Sequence, residues 1–265
     1  IFICLIVMRR ILFVYYLLMN SCLLFSQEKS KPYKSGEWLQ YRMSYSGFLK
    51  AGTAQLELKK TFLEGENVFH AKGFGKTSTV IGWFFKVIDR YESFFDSQKN
   101  IPYLFKRDVN EGGYIIKRDT RFNQKTKIAR VEDYKYNTVK EVPFDNVQDM
   151  ISAFYYLRNI NVDTIKKGDV IKLNLFFDSK TFPFKLRFLG NEIIKTKFGK
   201  INTIKLRPIV QAGRVFKENE SVTLWVTADQ NKIPIRIKAS LAVGSLKAEL
   251  DAFKGLANSF DIIFD

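Results

Sequence analysis

The stretch Gly36–Lys60, GEWLQYRMSYSGFLKAGTAQLELKK, decides the fold. Leu39, Tyr41, Met43 and Tyr45 alternate with Gln40, Arg42 and Ser44, and then Ala54, Leu56 and Leu58 alternate with Gln55, Glu57 and Lys59. Successive side chains of a strand point to opposite faces, so this period of two predicts two strands, each with one buried face. Gly47 and Gly52 bracket the expected reversal, where a Cβ is costly. The stretch reads as a β-hairpin.

The same grammar runs outward almost to the end of the chain. Val68–Phe74, Val87–Asp96, Leu104–Val109, Tyr114–Phe122 and Lys127–Asp133 read as strands, separated by turn sequences such as Asn110-Glu111-Gly112-Gly113. Val170–Phe177, Phe184–Leu189, Glu192–Lys197, Ile201–Arg207, Val222–Thr227, Ile233–Leu241 and Leu246–Phe253 continue the pattern. Thr77–Lys86 fits a buried strand or a short helix equally, because a brief apolar run does not settle the period. One helix is expected, near 145–158, with Val147, Met150, Ile151, Phe154, Tyr155 and Arg158 on one face and Asp145 as its N-cap. The fold class is therefore all-β, a strongly bent antiparallel sheet or incomplete barrel with one central amphipathic helix plugging it.

The first 26 residues differ in kind. Arg9 and Arg10 precede an apolar run from Ile11 to Phe25, the layout of a signal peptide cleaved near Ser26, with residues 1–7 expected upstream of a true start at Met8. Residues 27–35 are expected to be a mobile lead-in and 36–265 a single β-rich domain. Removing the leader takes two arginines from 43 cations and leaves 41 against 27 carboxylates, a net charge of +14. Both cysteines, Cys4 and Cys22, leave with it, so disulfides and thiolate metal sites are not expected. A basic exported chain favours anionic partners, with anionic lipid or acidic glycan ahead of nucleic acid, which is not expected.

Four separated blocks, GEWLQYRMSYSGFLKAGTAQLEL, YESFFDSQKNIPYLFKRDVNEGG, VQDMISAFYYLRN and LWVTADQNKIPIRIKASLAVGSLKAEL, resemble the bacterial domain-of-unknown-function family 3108, in order over about residues 36–255. The resemblance implies an exported, signal-peptide-bearing protein of Gram-negative bacteria with no catalytic residues to carry over, and the leader resembles a Bacteroidetes-type signal. Localisation in the periplasm, with peripheral outer-membrane association, is the corresponding expectation.

Chemistry-bearing patterns are sparse. His70 is the single histidine, no G-x-S-x-G elbow is present, and Gly73-Phe74-Gly75-Lys76-Thr77 has the wrong spacing for a phosphate loop. The carboxylate pairs Asp89/Glu92, Glu132/Asp133 and Glu218/Glu220 leave a glycan-active hydrolase as the third reading only. No cofactor and no metal is expected.

Two features point to binding instead. Aromatic residues make up 15% of the chain and cluster, so Trp83, Phe84, Phe85, Phe94, Phe154 and Tyr155 are the candidate lining of an apolar groove. Cations recur two apart on predicted strands, which makes Arg187, Lys205, Arg207, Arg236 and Lys238 the candidate seat of an anionic head group. The expected function is a non-enzymatic periplasmic binding or carrier protein for an apolar or amphipathic anionic ligand such as lipid. The alternative is an envelope assembly protein with a protein partner.

Overall fold

The computed structural model describes residues 31–162, 164–209, 222–241 and 244–264. Its strands are β1 (Trp38–Tyr45), β2 (Leu49–Leu63), β3 (Glu66–Thr77), β4 (Val87–Asp96), β5 (Pro102–Glu111), β6 (Tyr114–Asn123), β7 (Ile128–Asp133) and β8 (Thr138–Pro143). After these come β9 (Val147–Gln148), β10 (Val170–Phe177), β11 (Lys180–Thr196), β12 (Gly199–Pro208), β13 (Val222–Thr227), β14 (Pro234–Ser240) and β15 (Ser245–Lys254). Two helices interrupt them, the single turn α1 (Thr79–Gly82) and α2 (Met150–Arg158).

All fifteen strands share one sheet, in the order β8-β7-β6-β5-β4-β3-β2-β1-β15-β14-β13-β12-β11-β10-β9. The opening hairpin lies at the middle of that order because β1 pairs with β2 on one side and with β15 on the other, Tyr45 opposite Leu246 and Trp38 opposite Lys254. Two meanders therefore spread from β1; the chain passes from β8 at one edge to β9 at the other through residues 144–146, and α2 follows between β9 and β10. Every pair is antiparallel except β9 with β10.

The sheet curls because its apolar face has to be covered. Leu39, Leu58, Phe69 and Phe95 from β1–β4 share a core with Ile201, Ile235 and Leu250 from the far half, and Tyr155 of α2 sits fully buried among them. The two edges then overlap. On β10, Ile171 packs with Leu157 of α2, while Phe176, which points to the other face, meets Phe122 of β6 edge-on at 5.3 Å. β10 thus has both faces covered, and the β9–β10 end of the sheet is rolled inside the β5–β8 end. Asp178, in the β10–β11 turn, clasps the overlap by accepting from Arg107 at 2.5 Å and from Arg118 at 2.9 Å.

α2 is fixed at both ends. Asp149 is its N-cap and accepts from the amides of Ile151 and Ser152 at 2.8 Å and from the Ser93 hydroxyl at 2.6 Å. Ser152 returns a bond to the Asp149 amide, completing a capping box. At the other end Arg158 is buried and donates to both carboxylate oxygens of Glu37, at 2.6 and 2.7 Å. It also donates to the carbonyls of Pro32 at 2.7 Å and Asn231 at 2.9 Å.

Several expectations change at this level. The helix begins at Met150 rather than Asp145, because Asp149 has the Ser152 partner that Asp145 lacks. Phe184–Leu189 and Glu192–Lys197 form one strand, β11, bent by an irregularity between Phe188 and Gly190. Thr77–Lys86 resolves into the end of β3 and the turn α1, while β8 and β9 went unread because neither shows alternation of useful length. Gly52 is not part of the reversal: it lies inside β2, where a Cβ would stand 2.3 Å from the Lys76 carbonyl oxygen of β3. The described part of the lead-in is fastened rather than free, with Tyr33 buried and its hydroxyl accepting from Asn159 at 2.8 Å.

Candidate functional site

Where the rolled ends of the sheet meet, one half of the seam is closed and the other stays open. The closed half holds Phe122 edge-on to both Phe144 and Phe176, together with the Asp178 clasp. The open half is a groove of about 690 Å³ between β10–β11 on one side and the turns after β4 and β6 on the other. Its apolar lining on the lysine face is Ile101, Val147 and Pro183, while Leu173 and Phe184 border it from the face they share with Ile171 and Leu186. Its charged lining is four lysines, Lys99, Lys127, Lys172 and Lys185, with no carboxylate.

The register explains the charge. Lys172 of β10 stands directly opposite Lys185 of β11, and like charges facing one another across strands are destabilising. Lys99 and Lys127 reach the same space from the β4–β5 and β6–β7 turns. A cleft of this size, part apolar and of one charge sign, has the dimensions and polarity of a small-molecule site. Its polar lining is completed by Gln124, Asn146, Gln148, Tyr156 and Asn174.

A second, smaller space lies on the opposite face of β10–β14, beneath α2. It measures about 130 Å³ and is lined by Phe154, Leu157, Val162, Ile171, Leu206, Leu224 and neighbours, with Arg158 and Lys232 as its charged members. A cavity of ~150 Å³ holds a benzene ring, so this slot admits a short apolar fragment and not a whole acyl chain.

The six aromatic residues expected to line one groove separate into four places. Trp83, Phe84 and Phe85 follow α1 and stand in solvent, 79, 86 and 52% exposed. Phe94 lies on the outer face of β4 and stacks on His70 at 3.9 Å. The His70 Nε2 is 2.6 Å from Glu92 Oε2; burial pushes the imidazole below its ordinary pKa while the Glu92 hydrogen bond opposes that. Phe154 lines the slot, and Tyr155 is core, 4.8 Å from Tyr33 and 5.3 Å from Phe95. Strand alternation parts Phe94 from Phe95 and the turn of a helix parts Phe154 from Tyr155, so clustering in sequence did not become clustering in space.

The five candidate cations all lie on the outer face of β11–β14, opposite to the slot. Arg187 faces Arg207 across the β11–β12 register. Lys205 pairs with Glu192 at 2.7 Å beneath the Trp225 ring, and Arg236 pairs with Glu249 at 2.8 Å. Lys238 is exposed and stands opposite Lys247. A ligand tail in the slot is therefore separated from these cations by the thickness of the sheet. The groove lysines were missed because they come from four elements whose convergence no local spacing announces.

The carboxylates supply no facing pair from the expected sets. Asp89 shares the inner face with Tyr91, whereas Glu92 is on the outer face with His70; Glu218 and Glu220 lie outside the described residues. Burial, and next the neighbouring Glu111, push Asp89 up to about 6. Among the described residues no group of three or more His, Cys, Asp or Glu side chains is placed to hold a metal ion.

One solved structure supports the architecture. A β-barrel-like protein of domain of unknown function DUF1849 from Brucella abortus shares the fold with a TM-score of 0.53 at 8% identity, covering 84% of this chain and 99% of its own. A "putative lipoprotein" from Parabacteroides distasonis aligns with a TM-score of 0.32 at 10% identity, over 86% of this chain and all of its own. A "putative exported protein with YmcC-like fold" from Bacteroides fragilis aligns with a TM-score of 0.31 at 9% identity, over 84% and 97%. No curated protein matches the chain. The family model described as "Protein of unknown function (DUF3108)" matches residues 40–251, from within β1 to within β15, and the chain belongs to that family.

Proposed function

We propose that this is an exported, non-enzymatic binding protein of the periplasm that holds an amphipathic anionic ligand, a lipid or lipid-like phosphate, in the groove at the seam of its sheet. The observation that carries the reading is the convergence of Lys99, Lys127, Lys172 and Lys185 on an apolar floor without a carboxylate. A purely structural surface would intersperse acids among those lysines, as the outer face of β11–β15 does with Glu192 and Glu249. The basic n-region and apolar run of the leader support export.

The test is titration with dodecyl phosphate, followed calorimetrically, against the uncharged dodecyl maltoside. Binding of the phosphate with micromolar affinity is expected, and Lys172→Ala with Lys185→Ala should weaken it roughly tenfold or more, since each cation beside an anionic group contributes about 1 kcal/mol. Equal affinity for the uncharged detergent, or an unchanged affinity in the double variant, would sink the reading.

A further inference from the structure

The end of the sheet remote from α2's N-terminus carries a second feature that the groove does not use. Antiparallel alternation sends the turns β1–β2, β3–β4, β5–β6 and β7–β8 to one end of the sheet. Those turns hold Phe48, Trp83, Phe84 and Tyr136, between 64 and 86% exposed, with Tyr114 beside them at 60%. At the other end the turns read Glu64-Gly65, Ser97–Ile101, Gln124–Lys127 and Lys197-Phe198, with no exposed aromatic side chain. The large exposed aromatics near that end are scattered singly, as Phe62 and Phe264. Scattered apolar side chains are ordinary; a set gathered at one end is not.

Cations line the aromatic end beside Trp83, while the carboxylates Glu111 and Asp178 stand at other turns of the same end. Beside Trp83 runs a depression of about 860 Å³ lined by Lys50, Lys76 and Lys86 with no carboxylate. Lys135 lies over the rings of Tyr114 and Tyr136 at 5.5 and 5.1 Å. On the far half of the sheet, Arg207, Lys238 and Lys247 lie toward this same end. The aromatics do not converge on a point, as they would around a small ligand. They come from three turns and the first residue of β6, which share their position along the strand axis, as side chains that meet an extended surface would. Phe85 is held out at this end by Gly112, whose absent Cβ would stand 2.4 Å from its ring.

We propose that this end of the sheet seats the protein on an anionic membrane surface, with Trp83, Phe84 and Phe48 entering the interfacial layer and the surrounding lysines meeting lipid phosphates. Tryptophan and tyrosine concentrate at that depth of a bilayer, and lysine stems lie along apolar surface while their charges stay in water. The proposal does not rest on the seam groove, which lies toward the other end.

The test is co-sedimentation of the full chain with vesicles of phosphatidylcholine containing about one third phosphatidylglycerol, at low ionic strength where surface charge is least screened. Binding is expected, falling about tenfold or more in Trp83→Ser with Phe84→Ser and again in Lys50→Ala with Lys86→Ala. These side chains are exposed, so an unchanged urea midpoint will show that the variants fold. The Lys172→Ala, Lys185→Ala groove variant should bind vesicles like the wild type. Absence of binding, equal binding to pure phosphatidylcholine, or full binding by the Trp83→Ser, Phe84→Ser variant would overturn the proposal. So would capture of a single protein partner that depends on those two residues while vesicles are ignored.

Discussion

Removing the charge of Glu37 should cost this protein more than any comparable surface change. Glu37 is fully buried and Arg158 is 2% exposed, so neither charge is hydrated in the folded state and each depends on the other. Glu37→Gln leaves the guanidinium without its counter-charge, and breaking a buried pair from one side costs roughly 3–5 kcal/mol. Arg158→Met should be worse. It strands the carboxylate and also the carbonyls of Pro32 and Asn231, each worth a further ~1–3 kcal/mol when left unpaired. Joint replacement, Glu37→Leu with Arg158→Met, removes both charges and leaves only the carbonyl loss. It is therefore expected to be more stable than Arg158→Met alone. Urea unfolding followed by tryptophan fluorescence measures all three: Glu37→Gln should lower the midpoint by about 1 M or more with an unchanged slope. A Glu37→Gln protein within about 1 kcal/mol of the wild type, or a double variant as unstable as the sum of the singles, would refute the reasoning.

Two further perturbations act on backbone and pH. Gly52→Ala should weaken the β2–β3 pairing by several kcal/mol, because its Cβ would stand 2.3 Å from the Lys76 carbonyl oxygen and neither backbone can retreat without losing ladder bonds; thermal unfolding checks it. Burial raises Asp149 from 3.8 to about 6 against the opposing bonds from Ser93, Ser152 and Ile151. The folded state therefore holds this proton more tightly than the unfolded chain. The group's contribution is complete below pH 3.8 and is lost as pH rises through about 6, a change of roughly 3 kcal/mol. Asp149→Asn keeps a capping oxygen and abolishes that dependence, so its stability relative to the wild type should improve between pH 4 and 7; a constant difference across that window would contradict the assignment.

What the sequence disclosed, it disclosed through period two. The hairpin at 36–60, the strand Val87–Asp96 and the strand Val222–Thr227 were legible because each alternates and stands between turn residues. The apolar face of α2 was legible too, with Arg158 on it, although a cation on an apolar stripe already hinted at a buried partner. That partner, Glu37, lies 121 residues away, and no local pattern encodes the distance. The β1–β15 pairing and the overlap of the sheet edges are non-local in the same sense. Alternation also says which residues share a face of one strand but not which face turns inward, and that gap is why the outer cations and the inner slot were assigned to one ligand.

The two halves of the seam show why a groove exists there at all. Near the Asp178 turn β10 closes on the inner face of β5–β7, because Phe176 meets Phe122 and a single carboxylate bridges Arg107 and Arg118. Toward the other end the same two surfaces present Lys172 and Lys185 to Lys99 and Lys127. Four like charges without a carboxylate resist the approach that the apolar floor favours, and hydrated ammonium groups are costly to bury unpaired. The opening is thus the part of the seam in which no described residue supplies the counter-charge, and under the proposed function an anionic amphiphile would provide there what Asp178 provides at the other end.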